Sequence, residues 1–338
     1  MTATKAARFD RFACLFLALW GMLGCVQAAI AEDPPLSLTI RAMATELVVG
    51  EPIVLEVTLK NTGEEVVEIN PNLSRRGLSP AEFFITKDGG ERRRLADEAI
   101  VCGISGTRTL QAAESFVHTE WLHVDYYASD IYSDSLALVT PDPGKYTLHV
   151  IYGTSTGPDR SVHWRVRSND VEINIRDPKA NSAPLLPSLK DAAVARSIDS
   201  GPLRGMWFDR NRYLGTDYGE VLIRRDELLG TLAESDTPYA PYAGLIRGAI
   251  ELGEYDGSLR GAALAADIEA RALRALEYLE PADIGGFPLQ SEVVWYIREA
   301  AVLLGDEAAV QRLTKRLETE FADTQAASRP IQSKKYMP

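Results

Sequence analysis

The hydrophobic period changes partway along this chain, and the change restricts it to two kinds of structure. In "EPIVLEVTLKNTGEE" the residues Ile53, Leu55, Val57 and Leu59 alternate with Glu56, Thr58 and Lys60, and Asn61-Thr62-Gly63 follows as a turn. A period of two places the apolar set on one face of a strand and the polar set on the other. The alternation returns in "KYTLHVIY" at Tyr146, Leu148, Val150 and Tyr152, in "VHWRV" at Val162, Trp164 and Val166, and in "VEINI" at Val171, Ile173 and Ile175. Short strands broken by Gly, Pro, Asn and Asp at intervals of roughly ten residues predict an antiparallel β-sandwich over residues 32–176. Residues 177–188, "DPKANSAPLLPS", carry three prolines and no periodicity, which marks a linker. Beyond it the period becomes helical: Ile268, Ala272, Leu276 and Leu279; Val293, Ile297, Ala300, Ala301 and Leu304; Val310, Leu313, Leu317 and Phe321. The chain therefore reads as a multidomain β + α protein, with a helical domain over 189–325 and a polar, disordered tail over 326–338.

Two stretches resemble known families. "AIELGEYD" and "AVLLGDEA" each end an apolar run with Leu-Gly and an acid, so Gly253 and Gly305 are predicted to close helices that lead into antiparallel partners. "FPLQSEVVWYIREAAVLLGDEAAVQRLTKRLETEF" resembles a tetratricopeptide-like unit, with helices over Ser291–Leu304 and Glu307–Phe321. It departs from that pattern at Arg298, where a small residue is expected, and Gly253 and Gly305 lie about fifty residues apart rather than roughly 34. "VVGEPIVLEVTLKNTGEEVVEI" resembles the opening strands of bacterial immunoglobulin-like modules, including those of the intracellular-proteinase-inhibitor type. "PDPGKYTL", with Tyr146 at a strand start, resembles their tyrosine corner. The resemblance implies an immunoglobulin-like sandwich, and with it protease inhibition as one alternative function.

Lys5, Arg8 and Arg11 precede an apolar run from Phe12 to Leu23, and Ala29-Ile30-Ala31 stands before Glu32. That order is the pattern of a secretory signal peptide over residues 1–31. "MLGC" resembles a bacterial lipobox and offers lipidation at Cys25 as a second outcome; retention of the segment as an anchor is a third. Membrane association is expected only in those two cases. Of the three cysteines, a chain cut after Ala31 keeps Cys102 alone, so no intramolecular disulfide is expected, and its apolar neighbours Ile100 and Val101 favour a buried thiol. The expected compartment is periplasmic or secreted.

Formal net charge is -12, which argues against a nucleic-acid partner. "GTSTG" at Gly153–Gly157 matches the nucleophile-elbow pattern, with Asp159 and His163 downstream, but "SVHWRV" returns to strand alternation where an elbow needs a helix. Ser155 therefore reads as a turn residue, with hydrolysis the least favoured alternative. His118 and His123 fall on opposite faces of a strand and do not share a metal; no metal or cofactor is expected. Asp125, Tyr126, Tyr127, Asp130, Tyr132 and Asp134 in "DYYASDIYSDS" have the composition of a recognition loop for protein, sugar or calcium. Tyr239, Tyr242, Leu245 and Ile246 are candidates for a partner groove on the helical domain, with inter-helix core as the plainer reading. Together these features predict a non-catalytic exported binding or scaffolding protein with a protein partner in the cell envelope. Carbohydrate binding through the sandwich is a further alternative.

Overall fold

The segment Ile53–Asn61 is a strand, as its alternation requires, and Ile53, Leu55, Val57 and Leu59 are all fully buried on one face. In the computed structural model, residues 35–74, 79–95, 106–126, 136–140, 142–156, 162–180, 183–189, 208–209, 215–255 and 259–331 are described. The strands begin with β1 (Leu36–Ala42), β2 (Glu46–Val48), β3 (Ile53–Asn61), β4 (Val67–Ile69), β5 (Ala81–Lys87) and β6 (Arg92–Arg94). They continue with β7 (Arg108–Leu110), β8 (Ser115–Leu122), β9 (Val124–Tyr126) and β10 (Leu136–Leu138). β11 (Gly144–Thr156), β12 (Val162–Arg167) and β13 (Val171–Arg176) complete the N-terminal region.

One sheet has the order β1-β3-β8, and a larger one the order β2-β13-β11-β5-β6, with β12 also paired to β11. Their inward residues share one core: Leu38 and Ile40 of β1 and Leu55 and Val57 of β3 join Phe83, Ile85, Leu148, Val150 and Ile173 of the larger sheet. Tyr146 is buried within it, and its hydroxyl donates to the carbonyl of Asp142 four residues upstream at 2.7 Å.

The C-terminal region is helical. Ala183–Leu185 is a 3-10 turn running into α1 (Leu186–Leu189), followed by a two-residue β14 (Phe208–Asp209) and α2 (Asp217–Ala233). α3 (Ala240–Gly253), β15 (Glu254–Tyr255), α4 (Gly261–Ala282), α5 (Gln290–Leu303), α6 (Glu307–Glu320) and α7 (Gln325–Ser328) complete it. From α2 to α6 each helix packs on the next, and α3 also meets α5. Gly305 takes the left-handed conformation (φ 69°) that closes α5, as expected. Gly253 instead ends α3 by leading into β15, which pairs in parallel with β14. No helix among the described residues is long and apolar enough to cross a membrane.

Two segments differ from expectation. The linker's second half is not free chain: Leu185 and Leu186 pack against the cluster of Leu189, Leu229, Leu232, Tyr239 and Ile246. The tail predicted to be disordered from Ala326 onward is docked as far as Ile331. Ala326 is fully buried, and Arg329 clamps Glu292 of α5 through two hydrogen bonds of 2.8 and 3.2 Å while lying over the Trp295 ring. A polar composition predicted disorder, but one buried methyl and one desolvated ion pair order the segment. Residues 332–338 lie outside the described residues.

The described residues from Leu36 onward cluster as one compact unit. The reason lies on β3 and β8. Val54 and its register partner Trp121 face away from the core between the sheets and belong to the helical cluster of Tyr242, Leu245, Leu279, Val293 and Val294. The helices are thus laid on the outer face of the three-stranded sheet, and α7 reaches its edge, where the Thr119 amide donates to the Gln325 side chain.

The approach of α3 to α4 is set by two glycines one turn apart. A β-carbon at Gly244 would lie 2.7 Å from the Tyr278 carbonyl oxygen, and one at Gly248 2.4 Å from Leu279 Cγ. Gly244→Ala meets backbone that cannot rotate away. It should destabilise the protein by about 1–3 kcal/mol although alanine is the better helix former by about 1 kcal/mol; the urea unfolding midpoint decides between the two effects.

Candidate functional site

The seam between sheet and helices gathers most of the residues singled out as a groove. It is built on the turn "VVGEP", residues 48–52. Gly50 has φ 93°, and a β-carbon there would meet Leu186 Cδ2 at 2.9 Å and the Tyr239 hydroxyl at 3.2 Å. A glycine is needed both for the left-handed backbone and for the space. The Tyr239 hydroxyl donates to the carbonyl of Val49 at 2.5 Å, pinning α3 to a turn 190 residues earlier. Tyr242 stands edge-on to both Trp121 and Phe287, at centroid distances of 5.7 and 4.8 Å.

Tyr239, Tyr242, Leu245 and Ile246 are 3, 5, 0 and 3% exposed. The surface they form is therefore already occupied by this chain's own sheet, and their partner is Trp121, Val54 and the 48–52 turn. That face of the helices is packed on this chain's own sheet. What remains open at the seam is a cavity of about 30 Å³, lined by Gly50, Pro52, Trp121, His123, Tyr242 and Ile246 among others. That is room for a few water molecules.

Glu51 is the carboxyl group at the seam. Its carboxylate accepts from the Val48 amide at 2.6 Å, yet burial outweighs that bond and raises its pKa to about 7. Burial, and secondarily the Glu51 charge, push the Tyr239 phenol up to about 12 and raise that of Tyr242.

The remaining predicted residues are placed as follows. Asp125 and Tyr126 lie in β9, which pairs with β10, so the expected loop opens as a hairpin strand; Tyr127, Asp130, Tyr132 and Asp134 lie outside the described residues. The expected turn at Gly153–Gly157 is strand as far as Thr156, where β11 continues and Ser155 is the register partner of His163. Among the described residues strand is followed by strand, where a nucleophile elbow requires a helix. A hairpin brings these two residues opposite each other where helical spacing did not, and Asp159 is outside the described residues. Cys102 is likewise outside them.

His118 and His123 do not come together. His118, opposite Val57, lies 3.0 Å from buried Glu120, opposite Leu55, so both belong to the inward side of β8; His123 lines the seam cavity. His149 is buried on the outer face of the larger sheet, stacked on Phe84 at 5.0 Å, with Asp170 at 3.8 Å. Among the described residues no group of three or more His, Cys, Asp and Glu side chains is placed to hold a metal ion. A second polar array went unnoticed in the sequence: Arg247 of α3 meets Asp226 of α2 and Glu251 at 3.0 Å each, and Arg274 of α4 meets Glu251 at 3.1 Å. It links three helices through partly buried ion pairs. The i,i+4 spacing of Arg247 and Glu251 was the available signal.

No family model matches the chain, and no curated protein does. Among solved structures, the structural-genomics target SoR45 aligns with 43% of this chain and 90% of its own length at 16% identity and a TM-score of 0.26. A CARDB domain of the PF1109 protein from Pyrococcus furiosus, solved in complex with di-metal ions, aligns with 43% of this chain and 90% of its own at 14% identity and a TM-score of 0.22. A beta-glucosidase from Listeria innocua aligns over 41% of this chain at 16% identity and a TM-score of 0.23, and only 16% of that enzyme is spanned. Likeness at this level transfers no activity, ligand or partner.

The seam should respond to pH through Glu51. A carboxyl whose folded pKa lies above its ordinary 4.5 stabilises the fold fully at lower pH, and that contribution is lost as pH rises through about 7. Glu51→Gln should therefore raise the urea midpoint over wild type at about pH 8 and leave it nearly unchanged near pH 4.5. Equal shifts at both values would show that the charge is not what matters.

Proposed function

We propose that this chain is a non-catalytic exported binding or scaffolding protein of the cell envelope, built from an immunoglobulin-like antiparallel sandwich and tetratricopeptide-like helical hairpins that act as one rigid body. The observation that carries this reading is the filled seam. The inner helices α3 and α5 are buried almost all round, and the sheet covers the face with which an isolated helical array would bind. A partner therefore meets the outward faces of a preassembled unit. Two features support the finer fold assignments: the Tyr146 hydroxyl bonded to the Asp142 carbonyl, which is the contact of a tyrosine corner, and the helix-on-next-helix packing from α2 to α6. The basic, apolar and Ala-Ile-Ala segments of residues 1–31 support export. The strand-to-strand setting of Ser155 supports a role other than hydrolysis.

The reading is tested by cross-linking pull-down from envelope extract, with the whole chain from residue 32 as bait, together with mass spectrometry of the protein's N-terminus in cells. A protein partner retained in near-equal amount, and a chain beginning at Glu32 or lipidated at Cys25, are expected. Ser155→Ala should retain the same partner. Recovery of free bait alone, or an ester- or peptide-cleaving activity lost in Ser155→Ala, would overturn it.

A further inference from the structure

The outer face of the larger sheet carries a cationic array that runs against the charge of the chain. Register places its members. Phe84 is opposite His149 and Arg94, Thr86 is opposite Arg92, Ile151 is opposite Glu82 and Arg167, and Gly153 is opposite Arg165. All of these share one face, because the alternate residues Phe83, Ile85, Leu148, Val150 and Tyr152 are buried in the core. Two arginine pairs result, Arg92 with Arg94 on β6 and Arg165 with Arg167 on β12. Each pair repeats every roughly 6.8 Å along its strand, and the pairs are separated by three strand spacings, about 14 Å.

The acids on this part of the face do not match the arginines. Glu82 sits between the two rows and is shared, one carboxylate oxygen 3.3 Å from Arg94 and the other 2.8 Å from Arg165. Asp170 takes Arg167 at 2.5 Å. Arg92 lies over the Phe84 ring at 5.0 Å. Among the described residues, the four guanidinium groups of β6 and β12 thus have two carboxylates between them, while Glu172 of β13, opposite Thr147, lies on the same face; in a chain of net charge -12 the side chains of Arg94, Arg165 and Arg167 remain 54, 67 and 51% exposed. Burial first, and then Arg167 and Arg92, hold the pKa of His149 down, against the opposing effect of Asp170.

Glu82 shows what this surface accepts, a carboxylate held between guanidinium groups from two strands. We propose that the outer face formed by β6, β5, β11 and β12 is a docking surface for an extended acidic segment of a protein partner, one with Asp or Glu at alternate positions. The alternation follows from geometry. An extended peptide repeats its side chains on one face every roughly 6.8 Å, the spacing of Arg92 to Arg94 and of Arg165 to Arg167, and carboxylate to guanidinium is the strongest such pairing available. This deepens the scaffold reading and rests on it for the identity of the partner as a protein.

The test uses the chain from residue 32 and a fluorescent peptide of repeating Thr-Glu, read by anisotropy. Binding is expected at about 50 mM salt and should fall several-fold by about 300 mM. The double variant Arg94→Gln, Arg165→Gln should lose about tenfold in affinity, with an unchanged urea midpoint because both side chains are exposed. Glu82→Gln, which releases two guanidinium groups, should bind more tightly. Polygalacturonate and anionic vesicles serve as competitors. No binding, binding indifferent to the double variant, or preference for the polysaccharide or the vesicles would overturn the proposal. Peptide binding with an empty envelope pull-down would leave this face standing and remove the scaffold reading; a pull-down partner retained equally by the double variant would do the reverse.

Discussion

A three-stranded sheet with two apolar faces has to be covered twice, and this requirement organises the molecule. On β3, Leu55 and Val57 face the larger sheet, while Val54 faces the other way beside Trp121 of β8. One cover comes from the larger sheet and the other from α3 and α5. Exposing Val54, Trp121 and Tyr242 together would leave a contiguous apolar patch in water, at a cost of roughly 25 cal/mol for each Å². The β-sheet region and the helical region are therefore a single folding problem.

The seam's details follow from that contact. Covering the sheet closely requires glycine at position 50, where a side chain would strike Leu186 and Tyr239. It buries the neighbouring Glu51, whose carboxyl is displaced toward its neutral form. It leaves α5 enclosed, and there Glu292 is paired by Arg329 from the C-terminal segment. The outer face of the larger sheet takes no part in this packing among the described residues, and it holds the arginine array.

Much of this was legible. Strand periodicity located the inward faces of β3, β11 and β13, and helical periodicity placed α5 and α6 to within one residue at their ends. Gly305 announced its helix end, and Gly144-Lys145-Tyr146 announced a tyrosine bonded back to the chain. Other elements were not legible for identifiable reasons. Val54 interrupts the polar side of an otherwise alternating strand, which is the mark of a strand covered on both faces, but one residue did not say by what. Tyr239 and Tyr242 have the composition of a binding groove because they line one, and composition does not reveal whether the occupant is another molecule or the same chain. The segment after Ala326 is polar overall, and it is held by the buried Ala326 methyl and by an ion pair with a residue 37 positions before Arg329.

What the sequence by itself determined is local: which residues are strand, which are helix, which face of each is apolar, and where turns must fall. These follow from side-chain direction and backbone sterics within a few residues. The tertiary structure alone decided the pairings across distance: the Tyr239 hydroxyl on the Val49 carbonyl across 190 residues, Ser155 opposite His163, and Glu82 between arginines of two different strands. Periodicity records that a face is to be buried. The identity of what buries it depends on complementary shape and charge elsewhere in the chain, and these become neighbours only when it folds.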